Sequence, residues 1–281
     1  MNELKKLLLE LDEHMQEVYQ TNAGEKKFLE KTDNINVTGE RSRVIDMLLE
    51  ETIIDFFKEK AFPCVIVTEE RGKVALTATP KFVVITDPLD GTTNFSRGIP
   101  LTCYGIAIAK IRKKSEQTAF NDIQAAAVRS FHTDEFFLSD SKEGSTLNNQ
   151  AITPSKETNL QKSLLAIDLD RIWHKKPAKV QAVLSIVKQC KGIRRFGANL
   201  LDMCYVAAGR IECMIDIRNM LSIVHTPGLF IAKKSGAVLS TKLYEEFNPT
   251  LEAQEKMSFV LCNNANLASK ILAKLDESHF K

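Results

Sequence analysis

The stretch Val83-Val84-Ile85-Thr86-Asp87-Pro88-Leu89-Asp90-Gly91-Thr92-Thr93-Asn94 decides how this chain is read. The apolar run from Phe82 to Ile85, rich in β-branched residues, suits a strand covered on both faces. Pro88 has no N–H for a central ladder, which predicts that the strand stops there. Asp87 and Asp90 then sit at the strand's carboxyl end, where open α/β sheets place their ligands. Gly91, Thr92 and Thr93 offer backbone N–H groups and hydroxyls at a helix start, a seat for a phosphate. Two hard carboxylates beside an anion cradle imply a divalent, oxygen-loving cation, most simply Mg2+.

A second apolar strand, Cys64 to Thr68, ends in Glu69-Glu70. Carboxylates at the ends of two strands can converge on one cluster of metals, about 3.5–4 Å apart in two-metal sites. Taken alone, the two glutamates read equally well as a solvated turn, and Asp-Pro-Leu-Asp-Gly as an Asx-capped turn. Their occurrence on consecutive strands favours metal chemistry.

Composition narrows the classes. The 281 residues allow one large or two small domains, and 44% apolar content is ample for a core. Thirty-eight basic and 36 acidic residues leave a net charge of only +2, so no electrostatic case for nucleic acid arises. The densest basic run, Lys110, Arg112, Lys113 and Lys114, reads as a solvated hairpin end. Six cysteines stand far apart without a Cys-x-x-Cys pair, which predicts buried free thiols in a reducing cytoplasm. No signal-peptide pattern opens the chain, and no apolar run approaches the roughly 20 residues of a membrane span. A soluble, cytoplasmic protein with no membrane partner is expected.

Leu4, Leu7, Leu8, Leu11, Met15, Val18 and Tyr19 recur at helical spacing and predict an amphipathic first helix. Residues 21–41 are polar and read as an irregular connector. Val44 to Ala61 is predicted as a second helix, with Asp46 off its apolar stripe. Strands at Cys64–Thr68, Phe82–Thr86, Thr102–Ile111, Ala125–Ser130 and Glu135–Ser139 make one mostly antiparallel sheet. The small residues between Tyr104 and Ala109 suit close helix packing. A polar segment near 153–161 divides the chain into an N-terminal α+β half, 1–152, and a C-terminal αβα half, 153–281.

These residues carry a resemblance. Asp87-Pro88-Leu89-Asp90-Gly91-Thr92-Thr93-Asn94 resembles the signature of the inositol monophosphatase superfamily, and Thr68-Glu69-Glu70 its Glu-Glu element. Ser42-Arg43-Val44-Ile45-Asp46 is similar to the Thr-x-x-x-Asp segment of archaeal-type members. Gly144-Ser145-Thr146-Leu147-Asn148-Asn149 resembles the family's Gly-x-x-Leu-Asn-Gly hairpin. Phe196-Gly197-Ala198-Asn199-Leu200-Leu201 through Ala207-Ala208-Gly209 resembles its Ala-Ala-Gly helix. The landmarks fall in order over nearly the whole chain.

The resemblance implies a layered αβαβα sandwich of the inositol monophosphatase/fructose-1,6-bisphosphatase type (class α+β to α/β) and a Mg2+-dependent phosphatase. Its substrate would be a small phosphorylated polyol or sugar, inositol monophosphate or fructose 1,6-bisphosphate. A homodimer is expected, because dimers are common in the family. Glu69, Asp87 and the Leu89 carbonyl would hold one metal, and Asp87 and Asp90 a second. Thr92, with Glu69 and Asp46, would orient and deprotonate water, and Glu40 or Ser42 would approach the metals. The backbone of Gly91 and Thr92 would grip phosphate. Ala198, Asn199 and Asp216 would face the polyol, and Arg194 and Arg218 a second phosphate.

One departure stands out. The family's closing metal ligand is an Asp at the start of a late helix, and here that place falls on Val224 or His225 depending on the direction of counting. His225 offers a neutral nitrogen better suited to Mn2+ or Zn2+ than to Mg2+. Val224 offers nothing. The alternative to an enzyme is therefore a weak or inactive homologue that binds a phosphorylated ligand.

Overall fold

Leu8, Leu11, Met15 and Tyr19 form the buried stripe of α1 (Glu3–Asn22), and Ile45, Leu49, Ile53, Phe56 and Phe57 that of α2 (Val44–Glu59). Spacing of three and four residues places each set on one helix face. The structure is a computed structural model and describes residues 3–37, 39, 41–112, 117–243, 246–252 and 255–281. Glu40, Lys113 and Lys114 lie outside the described residues.

Between the two helices, β1 (Lys31–Ile35) and β2 (Arg41–Arg43) pair as an antiparallel ribbon where an irregular connector was expected. Then come β3 (Cys64–Thr68), β4 (Gly72–Ala75), β5 (Phe82–Asp90), the short helix α3 (Thr92–Arg97), β6 (Cys103–Lys110), β7 (Ile123–Ser130) and β8 (Phe136–Asp140). β9 (Ser145–Leu147) and β10 (Gln150–Ala151) form a hairpin. Its turn residues Asn148 and Asn149 both take positive φ, 48° and 64°, as a type I′ turn demands. The chain continues through β11 (Leu164–Ile167), α4 (Pro177–Val187), β12 (Gly192–Arg194), α5 (Asn199–Ala207) and β13 (Cys213–Ser222). It closes with α6 (Thr226–Ser235), β14 (Val238–Ser240), β15 (Lys256–Cys262) and α7 (Ala265–Leu272).

Strands β10-β9-β8-β7-β6-β5-β3-β4 make one mixed sheet, antiparallel except where β3 runs parallel to β5. A second sheet has the order β12-β11-β13-β15-β14. Alternation along β3 explains its unbroken apolar run: Cys64 and Ile66 pack on the α1–α2 side, Val65 and Val67 on the opposite side. On that opposite side Leu200, Met203 and Cys204 of α5 and Leu229 and Ile231 of α6 pack between the sheets. They meet Ala166, Met214, Phe259 and Leu261 of the second sheet. The far face of the second sheet is covered by Val180, Val183 and Ile186 of α4 and Leu267 and Ile271 of α7. The layers are therefore αβαβα, the sandwich that the family resemblance implies.

Close packing of α5 depends on Gly105. A Cβ there would lie 2.5 Å from Leu200 Cδ1. All six cysteines are free, and all but Cys190 are buried. Among the described residues no helix is long and apolar enough to cross a membrane.

Candidate metal and phosphate site

The strand β5 does not stop at Pro88 but runs on to Asp90 through an irregularity. Asp87 pairs with Gly105 and Asp90 with Cys103, so three steps along β5 match two along β6. Pro88 sits in that bulge, where a missing N–H costs no regular ladder bond. The extra residue matters for chemistry. Residues three apart on a regular strand point to opposite faces, and one bulged residue brings Asp87 and Asp90 back to the same side.

Each aspartate has one oxygen anchored by a backbone N–H and the other turned toward His225. Asp87 Oδ1 accepts the Leu89 N–H at 3.0 Å, and Asp90 Oδ2 accepts the Leu200 N–H in the first turn of α5 at 2.6 Å. His225 Nε2 lies 3.3 Å from Asp87 Oδ2 and 3.8 Å from Asp90 Oδ1. Its other nitrogen, Nδ1, is 3.3 Å from the Ser222 carbonyl, and donating there leaves Nε2 as the ligand atom. One donor atom from each of the three buried residues lies within 4.8 Å of the others. Val224 is buried in the core and does not line this cleft, so of the two possible placements His225 is the one at the carboxylates.

The electrostatics ask for a cation. Burial pushes the Asp87 carboxyl well above its ordinary range, and the charges of Glu69 and Asp90 push it further. Burial likewise raises Glu69 to about 7; His225 opposes this while Glu70 and Asp90 add to it. Burial draws the His225 imidazole down, but hydrogen bonding and attraction from Asp90, with Glu69, more than compensate and hold it above its usual value. Excess negative charge in a low-dielectric pocket is what a divalent ion relieves, and the carboxylate, carbonyl and imidazole donors fit one.

Gly91 turns the chain away from the carboxylates with φ of 93°, and a Cβ there would lie 2.8 Å from the Leu101 carbonyl. The Thr92 hydroxyl donates to the Leu89 carbonyl at 3.1 Å. Asn94 Nδ2 ties this turn to α5's approach by donating to the Leu101 carbonyl at 2.8 Å and the Phe196 carbonyl at 2.7 Å. Glu69, Asp87, Leu89, Asp90, Gly91, Thr92, Asn199, Arg218 and His225 line one cleft of about 430 Å³.

Other expected residues stand elsewhere. Asp46 does not line the cleft. It sits in the first turn of α2, where its Oδ2 accepts the Arg43 N–H at 2.7 Å and its Oδ1 is buried without a partner. Burial, opposed by the Arg43 bond and reinforced by Glu70 and Glu69, pushes it up to about 8. Ser42 donates to Glu70, so the second glutamate faces the ribbon while the first lines the cleft. Val37 N–H to the Glu69 carbonyl, 3.1 Å, docks the same ribbon.

Ala198 is fully buried in the apolar core and does not line the cleft, whereas its neighbour Asn199 does. Asp216 is fully buried behind the cleft, where Arg218 holds it through Nε at 3.1 Å and Nη2 at 2.7 Å. Arg194 donates to the Ile193 carbonyl and does not line the cleft. Its neighbour Arg195 does, together with Asp168 and Asp170. Those residues were missed, although the signal was present: β11 is another apolar run ending in a carboxylate, as β3 and β5 are.

The inositol monophosphatase family model matches residues 2–279. A fructose-1,6-bisphosphatase/inositol-1-monophosphatase of Methanothermobacter thermautotrophicus is 25% identical over 242 residues, covering 85% of this chain and 84% of that protein. A bifunctional NADP phosphatase/NAD kinase of Methanococcus maripaludis is 25% identical over 85% of this chain, but only 43% of its own length is matched. Among solved structures, the extragenic suppressor protein suhB of Bartonella henselae aligns with a TM-score of 0.80 at 21% identity, over 100% of this chain and 99% of that one. A Pyrococcus horikoshii protein with similarities for inositol-1 monophosphatase aligns with a TM-score of 0.78 at 24% identity, over 97% and 98%. The structural matches establish the fold, and the family match spans both sheets and every cleft residue named above: the chain belongs to the inositol monophosphatase family, whose named members are phosphoric monoester hydrolases.

Proposed function

We propose that this protein hydrolyses a small phosphate monoester of a polyol or sugar, of the inositol monophosphate or fructose 1,6-bisphosphate kind. The observation that carries the reading is the convergence of Asp87, Asp90 and His225 beside the Gly91 turn in one cleft. Residues 1–152 supply Glu69, Asp87, Asp90 and Thr92, and residues 153–281 supply His225 and the far wall. Glu69, Asp87 and the Leu89 carbonyl would hold one Mg2+, and Asp87, Asp90 and His225 a second cation, with Mn2+ or Zn2+ better matched to the imidazole. Such ions neutralise phosphate charge and acidify water.

The protein's own groups do the rest. Thr92 orients the attacking water and Glu69 takes its proton, while Asp46, outside the cleft, bears on Glu69 only through its charge. The Gly91 and Thr92 N–H groups hold the phosphate where negative charge develops. Arg218 and Asn199 line the side where the polyol would lie. A cytoplasmic homodimer completes the reading, on the strength of the free thiols and the family resemblance.

The second reading is a weak or silent homologue that binds a phosphorylated ligand. His225 in place of a carboxylate favours it. A phosphatase panel with Mg2+, Mn2+ and Zn2+ separates the two. Turnover that Asp90→Asn abolishes supports the enzyme; ligand binding without turnover under every metal supports the silent homologue.

A further inference from the structure

The far wall of the cleft is a closed network of charge. Arg195 Nη2 reaches Asp168 Oδ2 at 2.8 Å and Asp170 Oδ2 at 3.1 Å. Arg218 Nη1 reaches Asp168 Oδ1 at 2.6 Å while its Nη2 and Nε hold Asp216. Asp168 and Asp216 are buried, and the Asp168 Oδ1 also accepts the Asp170 N–H at 2.9 Å. Both guanidiniums are thus committed to carboxylates. Arg171 also lines the cleft, so three arginines face Asp168 and Asp170 with Asp216 buried behind them, and the three charges of each sign offset one another. The remaining lining cation, Lys256, belongs to the opposite end, as the register partner of Ser222, three residues from His225.

A second phosphate that used Arg218 would draw it from Asp216, leaving that buried carboxylate without its cation, and one that used Arg195 would share it with Asp168 and Asp170. Neutral hydroxyls need neither. They can donate to the Asp170 carboxylate, 62% exposed, and accept from Arg195. We infer that Asp168 and Asp170, by pinning Arg218 and Arg195, act as specificity residues that admit a hydroxyl-rich body and turn away a second phosphate. The inference rests on the proposed monoester chemistry at Gly91 and narrows its substrate to monophosphates.

The test compares kcat/KM for fructose 1-phosphate and fructose 1,6-bisphosphate, which present the same reacting group with and without the second phosphate. The wild-type protein should use the bisphosphate no better than the monophosphate. Asp170→Ala and the charge-removing Asp170→Asn should both shift the ratio toward the bisphosphate by about tenfold, because a like charge beside Arg195 is gone. A purely structural role would alter both substrates alike. The inference is overturned if the wild type prefers the bisphosphate about tenfold or more, or if neither variant moves the ratio. If no ester is turned over, the phosphatase reading falls separately, and calorimetric affinities of the same two ligands for the same three proteins decide the inference by the same ratio.

Discussion

His225→Asp places at the cleft the carboxylate that the family resemblance leads one to expect, and the structure sets its effect on the metal-free protein. The wild-type imidazole stands 3.3 Å from Asp87 and 3.8 Å from Asp90. At an effective dielectric of about 20, unit charges about 4 Å apart interact by about 4 kcal/mol, and at twice that distance by half as much. When protonated, His225 is bound favourably to both aspartates. An Asp side chain at this position is shorter and negative, so attraction becomes a longer-range repulsion. Part of that repulsion is relieved by a retained proton on one carboxyl. A net loss of roughly 3 kcal/mol is the expectation, which in a protein of this size lowers Tm by roughly 6–12 °C. Excess Mg2+ should reverse the order of effects. It is drawn to three carboxylates more strongly than to two and an imidazole, and ligand binding stabilises with the logarithm of the ratio of free ligand to Kd. Thermal unfolding in EDTA and in Mg2+ gives both numbers, with His225→Gln as the neutral intermediate. A variant that melts with the wild type in EDTA and gains no more than the wild type from Mg2+ would refute the placement of residue 225 at the cation.

Gly105→Ala should act at a distance. Its Cβ would sit 2.5 Å from Leu200 Cδ1, in a core where that leucine is fully buried, and the Leu200 N–H is the anchor of Asp90. Overpacking of this kind costs about 1–3 kcal/mol; calorimetry should also show weaker Mg2+ binding, and unchanged Mg2+ affinity would break the link between α5 and Asp90. Asp46→Asn tests the buried acid of α2 through pH. Asp46 is raised from 3.8 to about 8, so between those values the folded, metal-free protein retains a proton that the unfolded chain releases. Stability therefore falls as pH rises from about 4 to about 8 and levels off above. Asn still accepts the Arg43 N–H, so the variant should show a flatter profile in urea unfolding and be more stable than the wild type at pH 7; parallel profiles would exclude the buried carboxyl as their cause.

Much of the site was legible because metal ligands of this kind terminate strands whose residues are unmistakable. Cys64–Thr68 and Phe82–Ile85 are β-branched and apolar because both faces of the sheet are covered, and the carboxylates follow directly. The errors have physical causes of the opposite sort. Pro88 reads as a stop because a lone strand does not reveal its partner, and only the register with β6 shows a bulge that tolerates it. The ribbon β1–β2 has no apolar alternation to announce it; it is held by pairing and by docking of Ser42, Asn34 and Val37 onto Glu69-Glu70. Asp216 and Arg218 lie two apart, and spacing alone does not distinguish a pair bound to each other from a pair facing a ligand. Arg194 and Arg195 differ by one position, which in an extended segment reverses the side-chain direction.

A site that gathers Glu69, Asp87 and Asp90 in a buried pocket is unfavourable until something positive enters, as the raised carboxyls of Asp87 and Glu69 indicate. A fourth carboxylate would deepen that cost in the metal-free protein and lower it most when metal is bound. An imidazole does the reverse. Its raised pKa means that the stabilising imidazolium is fully present below the ordinary histidine pKa and disappears as pH rises through the higher folded value. Proton and cation then compete for one place, because the Nε2 that would coordinate a metal is the atom that carries the proton toward Asp87 and Asp90. Metal affinity in this chain should therefore climb with pH more steeply than in His225→Gln, whose side chain carries no proton at this place. A titration of Mn2+ affinity against pH reads this directly: equal slopes for the two proteins would mean that His225 neither carries the proton nor meets the metal.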